Sequence, residues 1–130
     1  MPMNRILVAD DDLTFRSIML KVLSDHGFEA VGVANGNEVL EAIKQGAFNV
    51  LVTDLMMPDM DGLEVIRHVT KTNPEVAIIA VSGGSHTGVN YIKTAKKFGA
   101  DEIMAKPVNY DEFVAIVKKC CQTARPSGPG

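Results

Sequence analysis

Residues 50–58 read Val-Leu-Val-Thr-Asp-Leu-Met-Met-Pro, and this stretch decides the architecture. An unbroken apolar and β-branched run, closed by an aspartate and followed by a proline, marks a short strand buried on both faces and ended by a turn. Working outward, runs of the same kind recur at Ile6–Ala9, Glu29–Val33, Val76–Val81 and Glu102–Ala105. Between and after them the apolar period becomes helical. Phe15, Ile18, Met19, Val22 and Leu23 share one face; so do Val39, Leu40 and Ile43, then Leu63, Ile66 and Val69, then Val89, Ile92 and Ala95, and last Phe113, Ile116, Val117 and Cys120. Gly27, Gly46 and Gly99 follow helical stretches, where a left-handed residue closes a helix most easily, and Pro74 follows the third. Five strand–helix units predict a doubly wound α/β fold, (βα)5, around a five-stranded parallel sheet.

At 130 residues the chain has the size of one domain, with a folded surface of about 7,000 Å² from size scaling. Its 46% apolar and 22% charged residues exclude a disordered chain, and apolar runs such as Val76–Val81 are too short to span a bilayer. Thirteen Lys and Arg against sixteen Asp and Glu give a formal charge of −3, so no basic field holds a phosphate backbone and direct nucleic-acid binding is not expected. The start, Met1-Pro2-Met3-Asn4-Arg5-Ile6, lacks the pattern of a signal peptide. Cys120 and Cys121 are adjacent on a helical stretch and read as reduced thiols of a cytoplasmic protein, not as a bridge. We expect a domain over residues 1–123 and a flexible tail or linker stub over 124–130, where the apolar pattern stops.

Doubly wound folds place ligands beyond the carboxyl ends of their strands. The first strand runs into Asp10-Asp11-Asp12, the third into Asp54, the fourth into Ser82-Gly83-Gly84 and the fifth into Lys106-Pro107. Clustered carboxylates repel and need protons, a lysine or a divalent cation, and hard oxygen ligands on a partly hydrated rim suit Mg²⁺. Alternation along the strand prevents Asp10 and Asp11 from presenting themselves alike, so one is expected to ligate directly and the other more remotely. Asp12 is read as the cap of the first helix. A carboxylate at Asp54, beside a cation and Lys106, can attack phosphorus and form an acyl phosphate. Ser82 is a candidate donor to a phosphoryl oxygen, the glycines after it let the loop shift, and Lys106-Pro107 invites a cis peptide. His26, His68 and His86 have no metal spacing and read as surface residues.

In combination these motifs resemble the receiver domain of two-component response regulators, of the single-domain CheY-like type, over about residues 4–123. They are Ile6-Leu7-Val8-Ala9-Asp10-Asp11-Asp12, Val50-Leu51-Val52-Thr53-Asp54-Leu55-Met56-Met57-Pro58-Asp59-Met60-Asp61-Gly62, Val81-Ser82-Gly83 and Ala105-Lys106-Pro107. The resemblance implies that Asp54 takes a phosphoryl group from a phosphohistidine on a sensor histidine kinase or histidine phosphotransfer protein. It implies Mg²⁺ held by Asp11, Asp54 and the backbone carbonyl of Met56, with Asp10 acting mainly through water. Ser82 and Lys106 would contact the phosphoryl oxygens. The chain would then be an autocatalytic phosphoacceptor with self-dephosphorylation, not an enzyme on an external substrate. Its signal would leave through the fourth helix, fifth strand and fifth helix, where the family's switch aromatic is replaced by Ile103. Met56 and Gly84 would flank the route of attacking water.

Rival readings fit less well. An aspartyl-nucleophile phosphatase of the haloacid-dehalogenase type needs a second aspartate where Met56 stands. A calcium loop built on Asp59, Asp61 and Gly62 would place Met57 and His68 at ligand positions. A flavin phosphate would meet three repelling aspartates after the first strand. The remaining rival is a receiver-like docking module whose output is independent of phosphorylation.

Overall fold

The computed structural model describes residues 4–57, 59–83 and 89–122, with Val89 and Asn90 described by their backbone alone. In chain order the elements are β1 (Arg5–Ala9), α1 (Leu13–Asp25), β2 (Glu29–Val33), α2 (Gly36–Gln45), β3 (Val50–Asp54), α3 (Gly62–Thr72), β4 (Ala77–Ser82), α4 (Val89–Phe98), β5 (Glu102–Ala105) and α5 (Tyr110–Gln122). The strands pair in parallel in the order β2-β1-β3-β4-β5. From β1 the chain first winds one way to β2 and then returns to the other side, so the strand order reverses between β1 and β3.

Two apolar layers sandwich the sheet. Side-chain alternation sends Ile6, Val8, Val50, Val52, Ile79, Val81 and Met104 to the layer shared with α1 and α5. Leu7, Ala9, Leu51, Ile78 and Ala80 face the opposite layer, against α2, α3 and α4. The accessible surface is 7019 Å², in line with a chain of this size.

Local chemistry ends the helices largely as expected. The Asp12 carboxylate accepts the Phe15 N–H at 3.2 Å and caps α1. After α1, Gly27 takes φ +87° while the Phe28 N–H reaches back to the Leu23 carbonyl, the arrangement that a left-handed residue permits. Gly46 departs from expectation: it is extended, with φ −136°, and it leaves room for the Arg5 guanidinium, which a Cβ would approach to 2.8 Å. Ile18 also departs. It is exposed on α1, whose buried stripe is narrower and runs through Met19 and Leu23.

Gly62 is where α3 meets the end of β3. Its N–H donates to the Leu55 carbonyl at 3.1 Å, and a Cβ there would lie 2.5–2.7 Å from the Leu55 backbone. No side-chain rotation relieves a clash with backbone. Gly62→Ala should therefore cost about 2–3 kcal/mol, read as a lower denaturant midpoint; an unchanged midpoint would show that α3 can slide away from Leu55 at little cost.

Candidate functional site

Strand parity brings three charged groups to one side of the sheet. Asp10 continues the face of Ile6 and Val8, Asp54 that of Val50 and Val52, and Lys106 that of Met104. Their backbones are held by extensions of the ladders: the Asp10 N–H donates to Val33, the Leu55 N–H to Val81 and the Lys106 N–H to Ser82. These side chains meet beyond the carboxyl ends of β1 and β3, where the strand order reverses.

The Lys106 Nζ donates to Asp10 Oδ2 at 2.9 Å and to Asp54 Oδ2 at 3.3 Å. Asp10 and Asp54 are only 1% and 6% exposed, whereas Asp11 faces solvent. The other oxygens of the buried pair are held locally. Asp10 Oδ1 accepts the Asp12 N–H at 2.9 Å, and Asp54 Oδ1 accepts the Met56 N–H at 3.0 Å. Oxygens of Asp10, Asp11 and Asp54 lie within 4.8 Å of one another. One ammonium against three carboxylates leaves the cluster negative, and its donors are all hard oxygens, so the residues present fit a divalent cation such as Mg²⁺.

Burial pushes the Asp54 carboxyl above the ordinary aspartate range; the Met56 N–H pulls it back, the Asp10 charge adds to the rise, and Lys106 opposes it. Lys106 is also raised, which for a lysine favours its charged form. Burial lowers its ammonium, but the hydrogen bond to Asp10 and the charge of Asp54 outweigh this and hold it above the ordinary lysine value.

The remaining sequence-derived residues lie nearby but do different things. Ser82 ends β4 and is buried, on the sheet face opposite that of Asp54 and Lys106 by alternation. Ile103, paired with Ala80, is half-buried against the α2–α3–α4 layer. Met56 is 52% exposed. The Lys106–Pro107 peptide is cis. His26 and His68 are exposed; His86, Pro58, Gly84, Met1 to Met3 and the expected tail lie outside the described residues.

Several contributors carry no individual signal in the sequence. The Arg16 Nη1 donates to the Asp10 carbonyl at 2.8 Å, with its stem lying over Gly32. Asp59 accepts the Gly36 and Asn37 N–H groups, both at 2.9 Å, and these donors hold its carboxyl below the ordinary range. Asp61 caps α3 and bonds the Tyr91 hydroxyl, which also lies 3.3 Å from the Leu55 carbonyl oxygen. Burial, and then the Asp61 bond, push that hydroxyl above the usual tyrosine range. The Asp59-Met60-Asp61-Gly62 run, with its calcium-loop look, is thus a pair of helix caps and a close backbone approach.

A doubly wound α/β domain with a lysine-bridged acidic cluster at its switch point offers a site for a divalent cation and an anionic ligand. The profile of the response regulator receiver domain matches residues 6–118. The chain is 30% identical over 117 residues to the response regulator receiver protein CpdR of Brucella abortus, covering 90% of this chain and 96% of that protein. It is 32% identical to the DNA-binding transcriptional regulator NtrC of Salmonella typhimurium over 88% of this chain, but spans only 24% of that regulator. The CheY-like receiver domain protein of Methanospirillum hungatei superposes with a TM-score of 0.89 at 28% identity, covering 93% of this chain and 95% of that one. TrrA of Thermotoga maritima, solved with Mg²⁺ and a beryllofluoride group, superposes at 0.80 and 33% identity over 91% of this chain and 99% of that one.

The chain belongs to the response regulator receiver domain family, and its function is that of a phosphoacceptor in two-component signalling. Receiver domains of these systems interact with histidine kinases or phosphotransfer proteins. Among the described residues no helix is long and apolar enough to cross a membrane.

The raised Asp54 pKa carries a sign. Below the unfolded aspartate value, about 4, both states are protonated and no penalty arises; as pH rises through the folded value, only the folded state bears the cost of a buried charge. Without divalent cation, Asp54→Asn should therefore raise Tm at neutral pH, with the gain fading below about pH 4. Thermal unfolding at both pH values checks this, and a gain of equal size in acid would show that charge is not its source.

Proposed function

We propose that Asp54 is the residue that accepts the phosphoryl group, from a phosphohistidine on a sensor histidine kinase or histidine phosphotransfer protein. The observation that carries this reading is the placing of a buried carboxylate between the Met56 N–H and the Lys106 ammonium, within reach of two further carboxylates. A carboxylate oxygen of Asp54 forms the new bond to phosphorus as the bond from phosphorus to the donor's imidazole nitrogen breaks. The electron pair stays on that nitrogen, which leaves as the neutral ring after taking a proton from solvent. The ammonium of Lys106, already beside the attacking carboxylate, stays near the charge on the transferred oxygens. Ser82, buried as the last residue of the adjacent strand, would serve as the hydroxyl donor for that charge by reaching around the strand end, not from the sheet face of Asp54 and Lys106.

Asp11, Asp54 and the Met56 carbonyl would hold Mg²⁺, with Asp10 acting mainly through water. Bound there, the cation screens negative charge on the incoming phosphoryl group. TrrA, solved with Mg²⁺ and beryllofluoride, supports this reading by its likeness. The signal would leave by the α4, β5 and α5 face, with Ile103 filling space behind Ser82, and the unit that folds and signals is residues 1–123.

Incubation with acetyl phosphate and Mg²⁺ should add one phosphoryl group to the chain, seen by intact mass. Asp54→Ala should abolish the addition; an addition that survives this change would move the acceptor elsewhere.

Lys106 should couple that event to the rest of the domain. Lys106→Ala is expected to retain Mg²⁺ binding while losing most of the amide-shift response to beryllofluoride. Identical responses in mutant and parent would remove Lys106 from the mechanism.

A further inference from the structure

Lys106 has a third neighbour besides its two carboxylates. The ring of Phe15 lies with its centroid 4.3 Å from Nζ, on α1 rather than on any strand of the site. An ammonium at that distance over a ring face is attracted by the ring's quadrupole, more so where water is excluded. Here the lysine side chain is 24% exposed and its carboxylate partners are nearly buried, so the ring covers a side of the ammonium that water would otherwise solvate.

The position of Phe15 follows from the same turn that orients Asp10. The Asp12 N–H donates to Asp10 Oδ1, and the Asp12 carboxylate accepts the Phe15 N–H. One capping residue therefore ties the buried carboxylate and the ring together. The half-buried ring also packs on the α1–α5 layer, which limits its freedom to swing away. Lysine, by contrast, is a flexible four-carbon stem with a point charge, and it stays in one place only when its surroundings confine it.

We propose that Phe15 is a positioning residue: its ring face holds the Lys106 ammonium on Asp10 and Asp54 and so sets how fast Asp54 takes a phosphoryl group. The rate half of this proposal rests on Asp54 being the acceptor. Phe15→Leu keeps an apolar side chain against the same layer but removes the ring face, while Phe15→Tyr keeps the face.

Two readouts separate positioning from packing. In the cation-free, unphosphorylated protein, the ε-methylene protons of Lys106 should be shifted upfield by the ring in the parent and in Phe15→Tyr, and return to ordinary lysine positions in Phe15→Leu. With acetyl phosphate and saturating Mg²⁺, the phosphorylation rate should fall about three- to tenfold in Phe15→Leu and recover in Phe15→Tyr. A Lys106 signal unmoved by Phe15→Leu, or equal loss of rate in both variants, overturns the proposal. Because the Lys106 signal needs no phosphoryl group, failure here is distinct from failure of the acceptor assignment, which would show as phosphoryl addition to Asp54→Ala.

Discussion

One ammonium shared by two buried carboxylates is the constraint around which this domain is arranged. Asp10 and Asp54 come from adjacent strands, and at a separation within 4.8 Å two ionised carboxylates repel by about 3.5 kcal/mol at an effective dielectric of 20. Lys106 sits closer to each than they need be to one another, at 2.9 and 3.3 Å, so each attraction acts over a shorter distance than the repulsion. Lys106 can do this because β5 has the parity and register to send it to the same face, two strands away from β3. Moving any of these strands by one residue would put its charge in the opposite apolar layer. The third carboxylate, Asp11, then leaves the rim with negative charge in excess of its lysine, which is why the site fits a cation.

Four aspartates close in sequence or space show how little the residue type alone decides. Asp12, Asp59 and Asp61 accept backbone N–H groups at helix starts, where their charge complements the end of the helix. Asp54 also accepts a backbone N–H, from Met56, yet its pKa rises while that of Asp59 falls. The difference is water: Asp59 is stabilised by two N–H donors at an exposed turn, whereas Asp54 accepts one in a site where burial outweighs it. A carboxylate that is oriented but not fully stabilised is what a nucleophile requires.

The fold was legible because its strands are solid apolar runs and its helices carry an apolar period, so the two kinds of element could be told apart. Each strand boundary falls within a residue of its expected place, for example Ala77–Ser82 against the run Val76–Val81. The cluster of Asp10, Asp54 and Lys106 was legible for a topological reason: alternation and strand order place strand ends without any knowledge of distant side chains. What could not be read depends on side-chain reach across elements. Arg16 over Gly32, Phe15 over Lys106 and Tyr91 beside Asp61 are contacts of long side chains on helices, and a helical period reports only which face they occupy. Ile18 and Gly46 misled for related reasons. The stripe of α1 is narrower than its apolar spacing implies, and an Arg5 guanidinium, not a left-handed turn, occupies the space beside Gly46.

The connection from the acidic cluster to α4 is through backbone. Leu55 follows Asp54 directly, and four interactions converge on it: its N–H donates to Val81, its carbonyl receives the Gly62 N–H, the Tyr91 hydroxyl lies beside that carbonyl, and its side chain is wholly buried. The residue after Asp54 is therefore in direct contact with α3 through Gly62, where a Cβ would meet the Leu55 backbone, and with α4 through Tyr91. Ile103 lies on the same sheet face, but as an aliphatic side chain it offers only volume to its neighbours. The aromatic hydroxyl beside the end of β3 belongs to α4, and Asp61, already fixed as the cap of α3, is the group that holds it there.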